Sequence, residues 1–162
     1  MKSDVFQSRL RVKFAKCICT SCKEEGCELR LGSLSKHGLI IIDADKYREC
    51  HGFKERLCDY ILFYLKGSSS VAVVELKGGL VKAEEARQQI KNGSKVAAQI
   101  TESHKVSNFL PILLHGRGVT RLETKTLKSK KAKVRFQGKD YMIIIERCGS
   151  QLSEIIRKYP TS

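Results

Sequence analysis

Tryptophan is absent from the 162 residues, and there are only two prolines, two methionines and 7% aromatic residues. With so few aromatics, stacking of successive unpaired bases on a row of rings is not an expected way of holding nucleic acid. The scarcity of proline, the twelve glycines and the lack of any repeat or low-complexity block exclude a collagen-like chain or an extended linker. Long apolar runs are missing as well. The longest, Tyr60–Leu65, Phe109–Leu114 and Tyr141–Ile145, stop at five or six residues, against the roughly 20 that a membrane-spanning helix needs. No charged start followed by an apolar stretch and a small-residue cleavage site opens the chain, since residues 1–16 alternate charged and apolar side chains. The expectation is a cytoplasmic protein without a membrane partner.

Acidic residues are also in the minority. Seventeen Asp and Glu face thirty-one Lys and Arg, a formal charge of +14, while 41% hydrophobic residues suffice for a packed core. A basic globular domain of this kind suits a polyanionic partner, nucleic acid above all. Seven cysteines without an export signal point away from a disulfide framework and toward free thiols or metal ligands.

Hydrophobic periodicity organises the chain as mixed α and β in a single domain, 1–162, with a Cys-rich N-terminal segment, 1–30. Residues 28–31 and 39–43 read as strands, the second buried on both faces because Leu39, Ile40, Ile41 and Ile42 leave no polar side. Residues 46–57 read as a short helix broken by Gly52. Two β-rich runs, 59–66 and 71–77, flank the turn-forming Gly67, Ser68, Ser69 and Ser70 and read as a hairpin. From Ala83 to His104 small and apolar residues recur at steps of three and four, marking a helix that Asn92, Gly93 and Ser94 either interrupt or leave whole. Residues 109–115 read as a further strand, 134–137 and 139–146 as a hairpin around Gly138, and 151–159 as a closing helix.

The first hairpin carries the sharpest chemical signal. Asp59 opens one strand, and Glu75, Leu76 and Lys77 close the other, ahead of Gly78 and Gly79. A four-residue loop sets Asp59 opposite Gly78, so Asp59, Glu75 and Lys77 share a face only with an odd-length loop or a bulge near the strand end. Such an irregularity is expected. Two carboxylates converging there repel one another, and a divalent cation with a taste for hard oxygen ligands, such as Mg²⁺, removes that cost. Lys77, pointing the same way as Glu75, is placed to orient an attacking water or to stabilise charge on a phosphate.

These residues, namely Cys58, Asp59 and Tyr60, then Glu75, Leu76, Lys77 and Gly78, then Ala86, Arg87, Gln88 and Gln89, resemble the motifs of the PD-(D/E)XK nuclease superfamily. The likeness is to a bacterial or archaeal branch with a Cys-Asp-aromatic strand, and it covers roughly residues 38–115. It implies a restriction-endonuclease-like α/β core, a mixed central sheet flanked by helices. It also implies Mg²⁺ or Mn²⁺ held by Asp59, Glu75 and the Leu76 carbonyl, with Lys77 positioning the water and Gln89 supporting water or phosphate. Many members add an acid from the preceding helix, for which Glu49 and Glu55 both stand available. The chain departs from the pattern in having Cys58 where a proline is usual.

Two further groups stand out. Cys17, Cys19, Cys22 and Cys27 place four thiols within eleven residues, a density that suits tetrahedral Zn²⁺, although ligand pairs normally sit on separated knuckles. Cys50, His51 or Cys148 joining two of them, or plain buried thiols, are the alternatives. Between Arg121 and Arg135 seven cations, Arg121, Lys125, Lys128, Lys130, Lys131, Lys133 and Arg135, face the single acid Glu123, a loop or hairpin edge suited to sequence-independent phosphate contact. His37, His51, His104 and His115 are scattered and read as ordinary histidines. The leading expectation is a Mg²⁺-dependent nuclease that cuts DNA, with an RNA-directed nuclease as a weaker option and a homodimer or a partner protein as ways to gain specificity. The competing one is a catalytically inactive nucleic-acid-binding or protein-interaction module on the same fold, possibly stabilised by zinc.

Overall fold

In the computed structural model, which describes residues 2–160, a six-stranded mixed sheet is flanked on both faces. The elements run α1 (Lys2–Lys13), β1 (Ile18–Cys19), β2 (Cys22–Glu24), β3 (Cys27–Leu29), β4 (Leu39–Asp43), α2 (Ala44–His51), β5 (Tyr60–Tyr64) and β6 (Ser70–Lys77). They continue with α3 (Ala83–Ile100), β7 (Asn108–His115), α4 (Arg121–Leu127), β8 (Val134–Phe136), β9 (Lys139–Tyr141), β10 (Ile144–Arg147) and α5 (Leu152–Lys158). The sheet order is β1-β4-β5-β6-β7-β10, antiparallel through β6 and parallel from β6 to β10; β2–β3 and β8–β9 form separate small ribbons.

Alternation along the strands sorts the core into two layers. Ile40, Ile42, Ile61, Phe63, Val71, Val73, Phe109 and Leu113 face a layer filled by α1, α2, α3, α4 and β8. Leu39, Ile41, Tyr60, Leu62, Ala72, Val74, Leu110, Ile112 and Leu114 face the β2–β3 ribbon and α5. The strands carry apolar residues on both sides because both sides are covered.

Several elements depart from the sequence reading, each for a local reason. Residues 2–13 form a helix anchored by Phe6 and Leu10, with Phe14 just beyond it, at steps of four. The helix read over 46–57 occupies Ala44–His51; Asp43 caps its start by accepting from the Asp45 and Lys46 amides, and Gly52, at φ 63°, ends it. Residues 139–146 are two strands rather than one: Lys139–Tyr141 pairs with β8, and Ile144–Arg147 joins β7 in parallel.

Helix α3 runs unbroken through Asn92, Gly93 and Ser94 because each makes a tertiary contact. Asn92 donates to the Arg56 carbonyl at 2.8 Å and Ser94 to the Arg135 carbonyl at 2.7 Å. Gly93 lies against Cys58 and Val73, leaving no room for a Cβ. Gly93→Ala is therefore expected to destabilise the fold by about 1–3 kcal/mol through overpacking. Removing the obstructing sulfur with Cys58→Ala in the same chain recovers part of that loss. Denaturant unfolding of both single variants and the double variant checks it, and strictly additive effects contradict the contact.

Candidate functional site

The β5–β6 register pairs Tyr60 with Val74 and Tyr64 with Ser70, so Leu65–Ser69 is a five-residue turn. Carried one residue further, the same register sets Asp59 opposite Glu75. The odd loop supplies the parity that puts Asp59, Glu75 and Lys77 together. The ladder is also irregular at its end. Cys58 packs in the same core layer as Ile61, three positions on, which strict alternation forbids, and the Asp59 amide donates to the Val74 carbonyl at 2.9 Å.

Asp59 Oδ2 accepts from the Leu76 amide at 2.7 Å, and Lys77 Nζ lies 3.0 Å from Glu75 Oε2. The two carboxyl groups are near enough for each to perturb the other's titration. Glu75 is 1% exposed, and its buried Oε1 has no hydrogen-bond partner among the described residues. Leu76 points into the opposite layer, leaving only its backbone beside the carboxylates. Burial, then the neighbouring Asp59, push the Glu75 carboxyl up to about 8, although Lys77 pulls it down. Burial also raises Asp59, against the Leu76 amide, Glu75 and Lys77. One ammonium does not offset desolvation and a second carboxylate together, so at neutral pH the pair retains a proton.

Gln89 is buried in α3, one turn before Gly93, and its Oε1 likewise has no partner. It borders a surface groove lined also by Glu55, Arg56, Glu85, Gln88 and Asn92. Glu49 and Glu55 are both exposed, on α2 and in the loop after it. The acids that the fold brings toward Asp59 are instead Asp45, at the start of α2, and Glu24, whose carboxyl is raised by burial and then by Asp59, Asp45 and Asp43. Glu24 arrives on the β2–β3 ribbon: the Tyr60 hydroxyl donates to the Lys23 carbonyl at 2.8 Å, and the Glu25 carbonyl rests against Gly78. Asp45 was legible as part of a helix start after the capping Asp43. Glu24 had no sequence signal, because a ribbon from the other side of the sheet delivers it.

The cysteines correct the expectation of a four-thiolate zinc set. Cys27 is joined to Cys148 in a disulfide spanning 121 residues, so Cys17, Cys19, Cys22 and Cys27 do not form a four-thiolate set. Cys22 is fully buried, and Cys17 turns toward Cys50. Among the described residues no three His, Cys, Asp or Glu converge as a metal cluster. The disulfide also corrects the expectation of free thiols throughout; Cys17, Cys19, Cys22, Cys50 and Cys58 remain free. The link holds the ribbon to the end of β10, reinforced by Gly149 N–H donating to the Glu28 carbonyl at 2.7 Å.

The basic segment is ordered, not a loop: helix α4, a 3-10 turn over Lys130–Ala132, and β8. Leu127, Ala132 and Val134 are its buried anchors, while Arg121, Lys125, Lys128, Lys130, Lys131, Lys133 and Arg135 are all exposed. Among the described residues only Arg135 of these seven has an ion-pair partner, Asp140 at 3.1 Å. The segment follows α3 from its first turn, where Glu123 Oε2 accepts from the Ala83 amide at 2.6 Å, to Ser94. Since α3 starts just after Lys77, the cations begin at the end of the sheet that holds the carboxylates.

No protein-family model, curated protein or solved structure matches the chain.

The raised Glu75 carboxyl has a thermodynamic signature. Its ordinary value is 4.5 and its folded value about 8, so between those limits the folded chain holds a proton that the unfolded chain releases. In chelator, stability is thus highest at the acidic end of this window and falls as pH rises through it, by up to ~1.4 kcal/mol per pH unit. Denaturant unfolding across that range should show the slope for the wild type and a flatter one for Glu75→Gln; identical slopes contradict the assignment.

Proposed function

We propose that the chain is a metal-dependent nuclease of the PD-(D/E)XK type, hydrolysing phosphodiester bonds of nucleic acid, DNA ahead of RNA, on a restriction-endonuclease-like core. One observation carries the reading: a carboxylate at 1% exposure, Glu75, has an unpartnered oxygen and faces a second carboxylate across a strand pair, with Lys77 bonded beside it. Burying two acids together is costly even with Lys77 beside them and one proton retained, and a structural core gains nothing from it. Mg²⁺ or Mn²⁺ suits this donor set of two carboxylates and backbone oxygen. Bound there, the cation supplies charge neutralisation and Lewis-acid polarisation of a phosphoryl oxygen.

The remaining work falls to the chain. Asp59 is fixed by the Leu76 amide, so its free oxygen is preoriented. Lys77 is positioned to hold a water for in-line attack and to stabilise charge on the phosphate. Gln89 contributes an amide whose oxygen has no partner among the described residues. The exposed cations of α4 and the segment after it then contact the backbone on either side without reading sequence. A second copy or a partner protein would extend this small contact surface.

Incubation with supercoiled DNA, linear DNA and RNA, in Mg²⁺, Mn²⁺ or chelator, tests the proposal. Cleavage is expected with either metal and not with chelator, and Glu75→Ala or Lys77→Ala each lowers the rate at least about a hundredfold. Cleavage that survives both substitutions moves the chemistry elsewhere. Binding without cleavage by the wild type replaces the nuclease with a binding module on the same fold.

A further inference from the structure

Beyond the carboxylates, the same end of the sheet carries a row of nitrogen donors. The parallel strands β6, β7 and β10 place Lys77, His115 and Arg147 in direct register as successive Cα partners. Alternation puts all three on one face: Val71, Val73, Phe109, Leu113 and Ile145 pack in the α3 layer, and Lys77, His115 and Arg147 continue their parities. Strands lie ~4.8 Å apart, so the row extends roughly 10 Å from Lys77 to Arg147, starting beside Glu75.

Among the described residues neither the His115 ring nor the Arg147 guanidinium has a hydrogen-bond or ion-pair partner. His115 Nδ1 is buried with no hydrogen-bond partner, and among the described residues Arg147 has no ion-pair partner, its neighbour Glu146 being engaged by Lys158 at 2.7 Å and Tyr159 at 2.9 Å. Burial and then the adjacent Arg147 lower the histidine's affinity for a second proton, while Glu146 raises it. The floor between the strand ends is bare backbone. Gly116 donates to the Lys77 carbonyl at 3.0 Å and packs on the Gly78 carbonyl, where a Cβ would be a tight fit, while the position of a Cβ on Gly79 is open. A chain of phosphates can therefore approach this edge closely.

We propose that His115 and Arg147 form a phosphate-binding row that holds the polynucleotide next to the scissile position, so that the strand crosses the end of the sheet from Asp59 toward Arg147. The row rests on the nuclease reading for its direction, but binding tests it without cleavage. Arg147 gives the permanent charge and the forked donor set that suits a phosphate; the half-buried His115 ring, between Arg147 and Lys77, meets the phosphate through Nε2 rather than through its buried Nδ1. A charge on an edge strand also serves to deter edge-to-edge pairing, and that simpler role makes a different demand on experiment.

A fluorescein-labelled DNA duplex is titrated with the wild-type chain, Arg147→Ala, Arg147→Lys, His115→Ala and His115→Gln in chelator, across a series of salt concentrations, with thermal melts confirming that each variant folds. Arg147→Ala is expected to bind about tenfold more weakly and to lower the salt slope by about one contact. Arg147→Lys keeps the slope, and His115→Gln retains more affinity than His115→Ala. Unchanged affinity and slope in folded Arg147→Ala, with or without self-association, leave Arg147 an edge guard and overturn the row. Failure of the wild type to bind the duplex overturns it too. Wild-type binding that depends on Arg147 but leads to no cleavage upholds the row while removing the nuclease chemistry.

Discussion

The site depends on the burial of Glu75 opposite Asp59. Two acids buried side by side do not both ionise at neutral pH, and a group at 1% exposure has lost its water besides. The fold does not avoid this arrangement; it enforces it. The five-residue turn fixes the register, the Leu76 amide clamps Asp59, and Gly93 lets α3 close over Cys58 and Val73. Lys77 relieves part of the charge, yet a carboxylate oxygen is left without a partner. In a chain of net charge +14, Asp59, Glu75, Asp45 and Glu24 come toward one another at one end of the sheet.

The surroundings are arranged about that point. Strands β4, β6, β7 and β10 run in the same direction and end at it, so Asp43, Glu75, Lys77, His115 and Arg147 gather along one edge. The β2–β3 ribbon brings Glu24 from the opposite layer and is tied to the end of β10 by the Cys27–Cys148 link. On the helix side the exposed cations of α4 and β8 follow α3 away from the site. Acids in the centre and bases on the flanks are what a polyanion needs if a cation is to mediate its approach to the centre.

What was legible in the sequence was whatever depended on neighbouring residues. Leu39–Asp43 shows its strand by continuous branched residues, and Ser70–Lys77 and Asn108–His115 by theirs. The meeting of Asp59 with Glu75 was legible as a parity condition on a short loop. The disulfide was not, because 121 residues separate its partners and an ordinary turn and a strand end bring them together. Nor was the break between β9 and β10, since residues 139–146 alternate well enough to read as one strand and only the choice of partners divides them. The four N-terminal thiols looked like a ligand set because spacing says nothing of direction. Phe6, Leu10 and Phe14 did carry a helical spacing, masked by the charges between them.

Calorimetric titration of Mn²⁺ into the chelator-treated, dialysed protein, in two buffers of different ionisation enthalpy, tests the central claim most directly. The account predicts a single site whose occupation releases protons, because Glu75 must give up its proton to bind metal, and whose heat disappears in Glu75→Gln and in Asp59→Asn. Binding that is unchanged in both variants, or no binding by the wild type, contradicts it.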